Sequence, residues 1–154
     1  MPITFVPDAG DVLICDFTTG FQPPEMVKVR KVVVLSVRSR VTIPDTYLVV
    51  PLSKTAPSPP EGCHHEFRPR SYHFLDEIES VWAKADMVTC VGKHRLDRVK
   101  LNGKYSRVCI RRDDLMAIRK AALYTMGMQN WREVEEKKIV SAKEIVASYS
   151  SGGG

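Results

Sequence analysis

Glu25 stands five residues before Arg30 in EMVKVRKVVVLS (25–36), and Ser53 closes the aliphatic run YLVVPLS (47–53). A guanidinium can grip a phosphate with two parallel N–H donors, and a hydroxyl can donate to another of its oxygens. A carboxylate nearby can take a proton. Together these are the parts needed to cleave RNA by attack of its own 2′-hydroxyl, without a metal ion. The same cations have a second reading, as a solvated entrance that keeps a sheet edge from aggregating. Position decides between the two.

The run Val32-Val33-Val34-Leu35 reads as a strand buried on both faces, spanning 32–37 with the charges ahead of it. Residues 10–17 (GDVLICDF) read as the strand before it and 46–52 as the strand after. If the second and third strands pair as an antiparallel hairpin, the start of one lies beside the end of the other, which brings Arg30 to Ser53. The proline-rich SKTAPSPPEGC (53–63) is irregular. CHHEFR (63–68) fits an edge strand, SVWAKADMVTCV (80–91) one or two short strands, and YSRVCI (105–110) another. HRLDRVKLNGKY (94–105) reads as a basic connection with an Asn-Gly turn. From 113 the period becomes helical: Asp113 is the expected N-cap, Leu115, Ile118, Ala122 and Leu123 form the apolar stripe, and Gly127 closes the helix.

The expected class is therefore α+β, a small, strongly bent antiparallel sheet or SH3-like barrel with C-terminal helices. One domain spans 1–127, an extra helix 128–147, and a disordered serine–glycine tail 148–154. No strand–helix alternation or phosphate-binding glycine loop supports a doubly wound nucleotide-binding sheet. With 154 residues, a net charge of +5 and pI near 9.1, a polyanionic partner is favoured. No stretch approaches the ~20 apolar residues that span a bilayer. MPITFVPDAG lacks a basic, then apolar, leader pattern, so the cytoplasm is the expected compartment. Cys15, Cys63, Cys90 and Cys109 are read as reduced thiols.

Cys63-His64-His65 is the tempting metal motif. Zinc ligands are separated by spacers, and adjacent residues of a strand point to opposite faces, so no metal and no cofactor is expected. Asp86 interrupts an apolar stretch in WAKADMV (82–88) and is expected to be paired with a cation. No aromatic–basic stacking motif is evident.

FVPDAGDVLICDF, EMVKVRKVVVLS, YLVVPLSKT and WAKADMV, in this order, resemble the PemK/MazF toxins of type II toxin–antitoxin systems, over about residues 5–126. The resemblance implies a compact barrel-like sheet, usually dimeric, that cleaves single-stranded RNA without a metal and is held by a cognate antitoxin. It puts the catalytic arginine on Arg30, the catalytic threonine on Ser53 and a functional glutamate on Glu25. Gly10, Asp11, Asp16 and Phe17 match the first-strand pattern. RNA contacts are expected from Lys28, Lys31, Lys54, Lys93, Arg95 and Arg98, with Asp86 and Asp16 in supporting positions. Lys31 stands where a proline usually follows the arginine, and Met87 where a glutamine is frequent. Two alternatives stay open: a non-catalytic toxin that binds a protein target such as gyrase, and a nucleic-acid-binding regulator.

Overall fold

The computed structural model describes residues 3–128. The expected helix at 128–147, beyond Met128, and the tail at 148–154 lie outside the described residues. Nine strands and one helix follow in order: β1 (Asp11–Cys15), β2 (Arg30–Val34), β3 (Thr46–Ser53), β4 (His64–Phe67), β5 (Val81–Lys84), β6 (Thr89–Gly92), β7 (Leu96–Leu101), β8 (Lys104–Ser106), β9 (Val108–Cys109) and α1 (Arg112–Thr125). The sheet is antiparallel and unclosed, in the order β4-β5-β3-β2-β1-β7-β8. β3 gives the first half of its outer edge to β6 and its last two residues to β5. β1 likewise splits between β7 and β9. These forks bend the sheet.

The central strands bury both faces, as their unbroken aliphatic runs require. Val12, Val33, Val50, Leu52 and Val99 pack with Phe67, Phe74 and the α1 residues Ile118, Ala121 and Ala122 on one side. Leu13, Val32, Val34, Val49, Tyr47 and Leu96 pack with Phe17 on the other. Each such side chain, fully buried, contributes roughly 1.5–3 kcal/mol.

Three expectations change. β2 begins at Arg30 and ends at Val34, so Arg30 and Lys31 are inside the strand rather than ahead of it. The basic connection contains a full strand, β7, joined to β8 by Asn102 and Gly103, both at positive φ (48° and 80°). This is the backbone that an Asn-Gly hairpin turn adopts. The residue capping α1 is Arg111, without a side-chain cap, while Asp113 and Asp114 occupy the first turn and face the positive end of the helix dipole. Gly127 ends the helix at φ 69°.

Candidate active site

β2 and β3 pair antiparallel through Val32↔Pro51, Val33↔Val50 and Val34↔Val49. Continued by two residues, this register brings Arg30 level with Ser53. The pleat then sets both on the face carrying Val32 and Pro51. Ser53 is buried, 6% exposed, and its hydroxyl oxygen accepts from the Thr55 N–H (3.2 Å). Arg30 is half-buried, and its buried Nε has no hydrogen-bond partner among the described residues. A buried guanidinium nitrogen left unsatisfied is costly, so a group that completes it is bound favourably.

Across β1 the rows run Arg30–Cys15–Leu96 and Val32–Leu13–Arg98. Arg98 therefore shares the face of Arg30, and its buried Nε is likewise unpartnered. Its guanidinium lies 5.3 Å from the Tyr105 ring centre and the Lys100 ammonium 5.1 Å from it. Tyr105 is 46% exposed, so the aromatic–basic stacking not expected from the sequence exists across the β7–β8 hairpin. Its signal was the register that Asn102-Gly103 imposes on Lys100 and Tyr105.

Glu25 is exposed, and its Oε2 accepts the Gln22 N–H (2.9 Å) within its own turn. It lines a cleft of about 340 Å³ between the loop before β2 (Phe17, Phe21, Pro24, Met26) and the segment Asp86–Thr89. Neither Arg30 nor Ser53 lines this cleft. Asp86 is not a buried strand carboxylate as expected. It sits in a 3₁₀ turn (Ala85–Met87), is 42% exposed, and lies 3.6 Å from His64 Nε2.

The basic residues divide. Lys31, adjacent to Arg30 and so on the other face, donates to the Phe74 carbonyl (2.7 Å), and burial holds its pKa below the usual lysine range. Lys54 pairs with Asp76 and, at 3.7 Å, with Glu79. Lys93 lies 3.5 Å from Asp45. Arg95 donates to the carbonyls of Asp16 (3.1 Å) and Thr19 (2.8 Å) and stacks on Phe21. These four brace loops. Asp16 belongs to the same brace: its carboxylate takes the Thr18 hydroxyl and N–H, which lower its pKa. Lys28 is exposed and makes no hydrogen bond or ion pair among the described residues.

Two polar clusters were missed because their members are far apart in sequence. Buried Asp11 accepts two hydrogen bonds from Arg107 (3.0 and 2.8 Å), 96 residues away. Asp114 in α1 takes the Tyr72 hydroxyl, His65 Nε2 at 3.0 Å and Arg111 Nε at 3.3 Å. His65 and His64 do face opposite ways, one toward Asp114 and the other toward Asp86.

A family model described as a PemK-like, MazF-like toxin of type II toxin–antitoxin systems matches residues 8–125. The uncharacterized protein YifN of Escherichia coli (strain K12) is 32% identical over an alignment 146 positions long that covers 82% of this chain and 96% of that protein. Among solved structures, MazF from Deinococcus radiodurans superposes with a TM-score of 0.59 at 19% identity, covering 80% of this chain and 99% of that one. A mycobacterial endoribonuclease in complex with its cognate antitoxin superposes at 0.56, also at 19% identity, over 80% and 97% of the two chains.

Proposed function

This chain belongs to the PemK-like, MazF-like toxins of type II toxin–antitoxin systems, and on that premise we propose that it is a sequence-selective endoribonuclease that cleaves single-stranded RNA without a metal ion or cofactor. The observation that carries this reading is the β2–β3 register, whose continuation by two residues sets Arg30 level with Ser53, together with the Arg30 Nε, buried and without a partner among the described residues. A scissile phosphate completes that nitrogen. Arg30 binds its non-bridging oxygens and opposes the negative charge that grows as the 2′-oxygen attacks phosphorus. The Ser53 hydroxyl, whose oxygen holds the Thr55 N–H, has its own hydrogen to donate to the same group.

The 2′-hydroxyl proton leaves to a base, and Glu25 is the candidate: Oε2 is taken by Gln22, which leaves Oε1 to receive it. Because the 340 Å³ cleft that Glu25 lines does not include Arg30, the RNA must bridge the two, with one nucleotide in the cleft and its phosphate at the strand end. The P–O5′ bond breaks and the departing 5′-oxygen takes a proton from water, giving a 2′,3′-cyclic phosphate and a 5′-hydroxyl. Lys28 and Arg98, with Tyr105, are the side chains free to hold flanking RNA.

A cognate antitoxin, a homodimeric state and a cytoplasmic site of action belong to the same reading. The antitoxin is supported by family membership and by the complexes that structural neighbours form. The test is incubation of a mixed RNA with the protein in EDTA. Cleavage with cyclic-phosphate ends is expected, and Ser53→Thr retains it while Ser53→Ala slows it. Intact RNA, or cleavage that chelation abolishes, overturns the proposal. Intact RNA together with broken DNA in growth-arrested cells replaces it with a protein-directed toxin.

A further inference from the structure

Cys63, His64 and Asp86 converge at the far edge of the sheet. The β4–β5 register pairs His64 with Lys84 and His65 with Ala83. One step beyond, the Ala85 N–H donates to the Cys63 carbonyl (3.0 Å), so backbone hydrogen bonds fix the place where the chain turns to Asp86. Cys63 Sγ lies 3.7 Å from His64 Nε2, and His64 Nε2 lies 3.6 Å from Asp86 Oδ1. The three donor atoms all lie within 4.8 Å of one another.

These distances are too long for good hydrogen bonds between nitrogen and oxygen. The Cys63–His64 and His64–Asp86 distances are close to the donor–donor edges of a tetrahedral zinc site, about 3.3–3.8 Å for metal–ligand distances of roughly 2.0–2.3 Å. The His64–Asp86 contact is too long to satisfy either group, and the two Cys63–His64 contacts, both 3.7 Å, are weak sulfur hydrogen bonds. His64 is only 10% exposed at its side chain, and Cys63 is 9% exposed. A nucleophilic Cys–His–Asp reading fails on geometry. The sulfur is equidistant, 3.7 Å, from both ring nitrogens and so is aimed at neither, and it is shielded from a substrate.

We propose that Cys63, His64 and Asp86 bind one divalent ion of the zinc class, through thiolate, imidazole Nε2 and carboxylate. A thiolate–imidazole–carboxylate set selects zinc or cobalt over magnesium and calcium, which take oxygen ligands. Three protein ligands leave a fourth position, and the 42% exposure of Asp86 puts water within reach of it. In the empty site the Glu61 N–H donates to His64 Nδ1 (3.1 Å), which puts the ring proton on Nε2. Loading releases the thiol proton, moves the ring proton to Nδ1 and opens the Glu61 contact, so the turn before β4 moves with the metal. Asp86 also lines the Glu25 cleft, and the bound ion therefore fixes one wall of that cleft. The ion takes no part in the cleavage chemistry proposed above, and the binding inference stands without it.

The test uses the full chain and Co²⁺ as a spectroscopic probe, followed by displacement with Zn²⁺. One ion per chain is expected, with a thiolate-to-cobalt charge-transfer band and a tetrahedral visible spectrum. Cys63→Ser abolishes the band, and His64→Gln and Asp86→Asn each weaken binding by at least ~10-fold. Cys90→Ser and Cys109→Ser, at the two exposed thiols, leave it unchanged. Circular dichroism identifies any variant that fails to fold, and exposed Asp86 then carries the decision. Absence of the band in the wild type, its survival in Cys63→Ser or Asp86→Asn binding as tightly as wild type overturns the site.

Discussion

Arg30 opens β2 and Arg107 lies between β8 and β9, and the two have opposite surroundings. Arg107 is bonded twice by Asp11, a carboxylate whose side chain is only 5% exposed, and Asp11 also takes the Asp8 N–H (2.8 Å). That pair ties the β1–β9 edge together, and the hydrogen bonds to Asp11 are the main cause that raises the pKa of Arg107. Arg30 has a buried nitrogen with nothing among the described residues to receive its proton. A satisfied arginine holds the fold, whereas an unsatisfied one is ready for a ligand that arrives from outside. The contrast teaches that charge alone does not mark a site; the absence of an internal partner does.

The largest expected effect tests the ligand half of the contrast. Arg30→Ala lowers RNA cleavage by ~10²–10³-fold, as loss of one transition-state donor does, with a melting temperature close to wild type. Arg30→Lys does not restore the rate, because an ammonium cannot reproduce the two-pronged grip. An unchanged rate in Arg30→Ala would break the comparison outright. Arg107→Ala should do the reverse, costing about 1–3 kcal/mol of stability in a urea melt by leaving the Asp11 carboxylate unsatisfied, while cleavage by the folded fraction stays normal.

Asp114→Asn sharpens the structural side, at about 1–2 kcal/mol near neutral pH. Burial raises the pKa of Asp114, but hydrogen bonds from Tyr72 and His65 more than reverse this and hold it below 3.8. A carboxyl depressed in the fold contributes stability above its unfolded value of 3.8, lost as pH falls through the folded value. The wild type therefore loses stability below 3.8, and urea midpoints measured at pH 7 and pH 3 differ less in Asp114→Asn. The smallest effect belongs to Lys28→Ala: RNA binding weakens a few-fold at all sequences, and the slope of log affinity on log salt falls by about 0.7. A larger loss confined to one RNA sequence would make Lys28 a reader of bases.

Most of the architecture was readable before the structure. β1, β3 and α1 announce themselves by local pattern, and the edge position of β4 follows from its polar, short segment. β7 did not, for a physical reason. Leu96 packs on one core and Val99 on the other, so the strand has no apolar alternation and its charges read as a loop. The Arg30–Ser53 relation was accessible because it needed only a hairpin. The fate of the other cations was not, since Lys31 finds its partner 43 residues away and Arg95 finds one 76 away. The Cys63–His64–Asp86 cluster hid for a similar reason: its third member comes from the turn after β5 rather than from the neighbouring histidine.

The two consecutive cations of β2 impose a constraint on how this sequence can change. Arg30 and Lys31 occupy alternate sides of one pleat, one at the start of the strand, level with Ser53 when the β2–β3 register is continued, and the other donating to the Phe74 carbonyl. A slip of β2 by a single residue would turn both to the opposite face: one direction sets Lys31 in the place proposed for Arg30 at the phosphate, and the other forces the Arg30 guanidinium beneath the 72–76 loop. Insertions and deletions within β2, between Arg30 and Val32, are therefore tolerated only when they preserve odd–even parity. A two-residue change keeps the arginine on its face at the cost of reach to Glu25, whereas a one-residue change that shifts the register breaks both the site and its clasp.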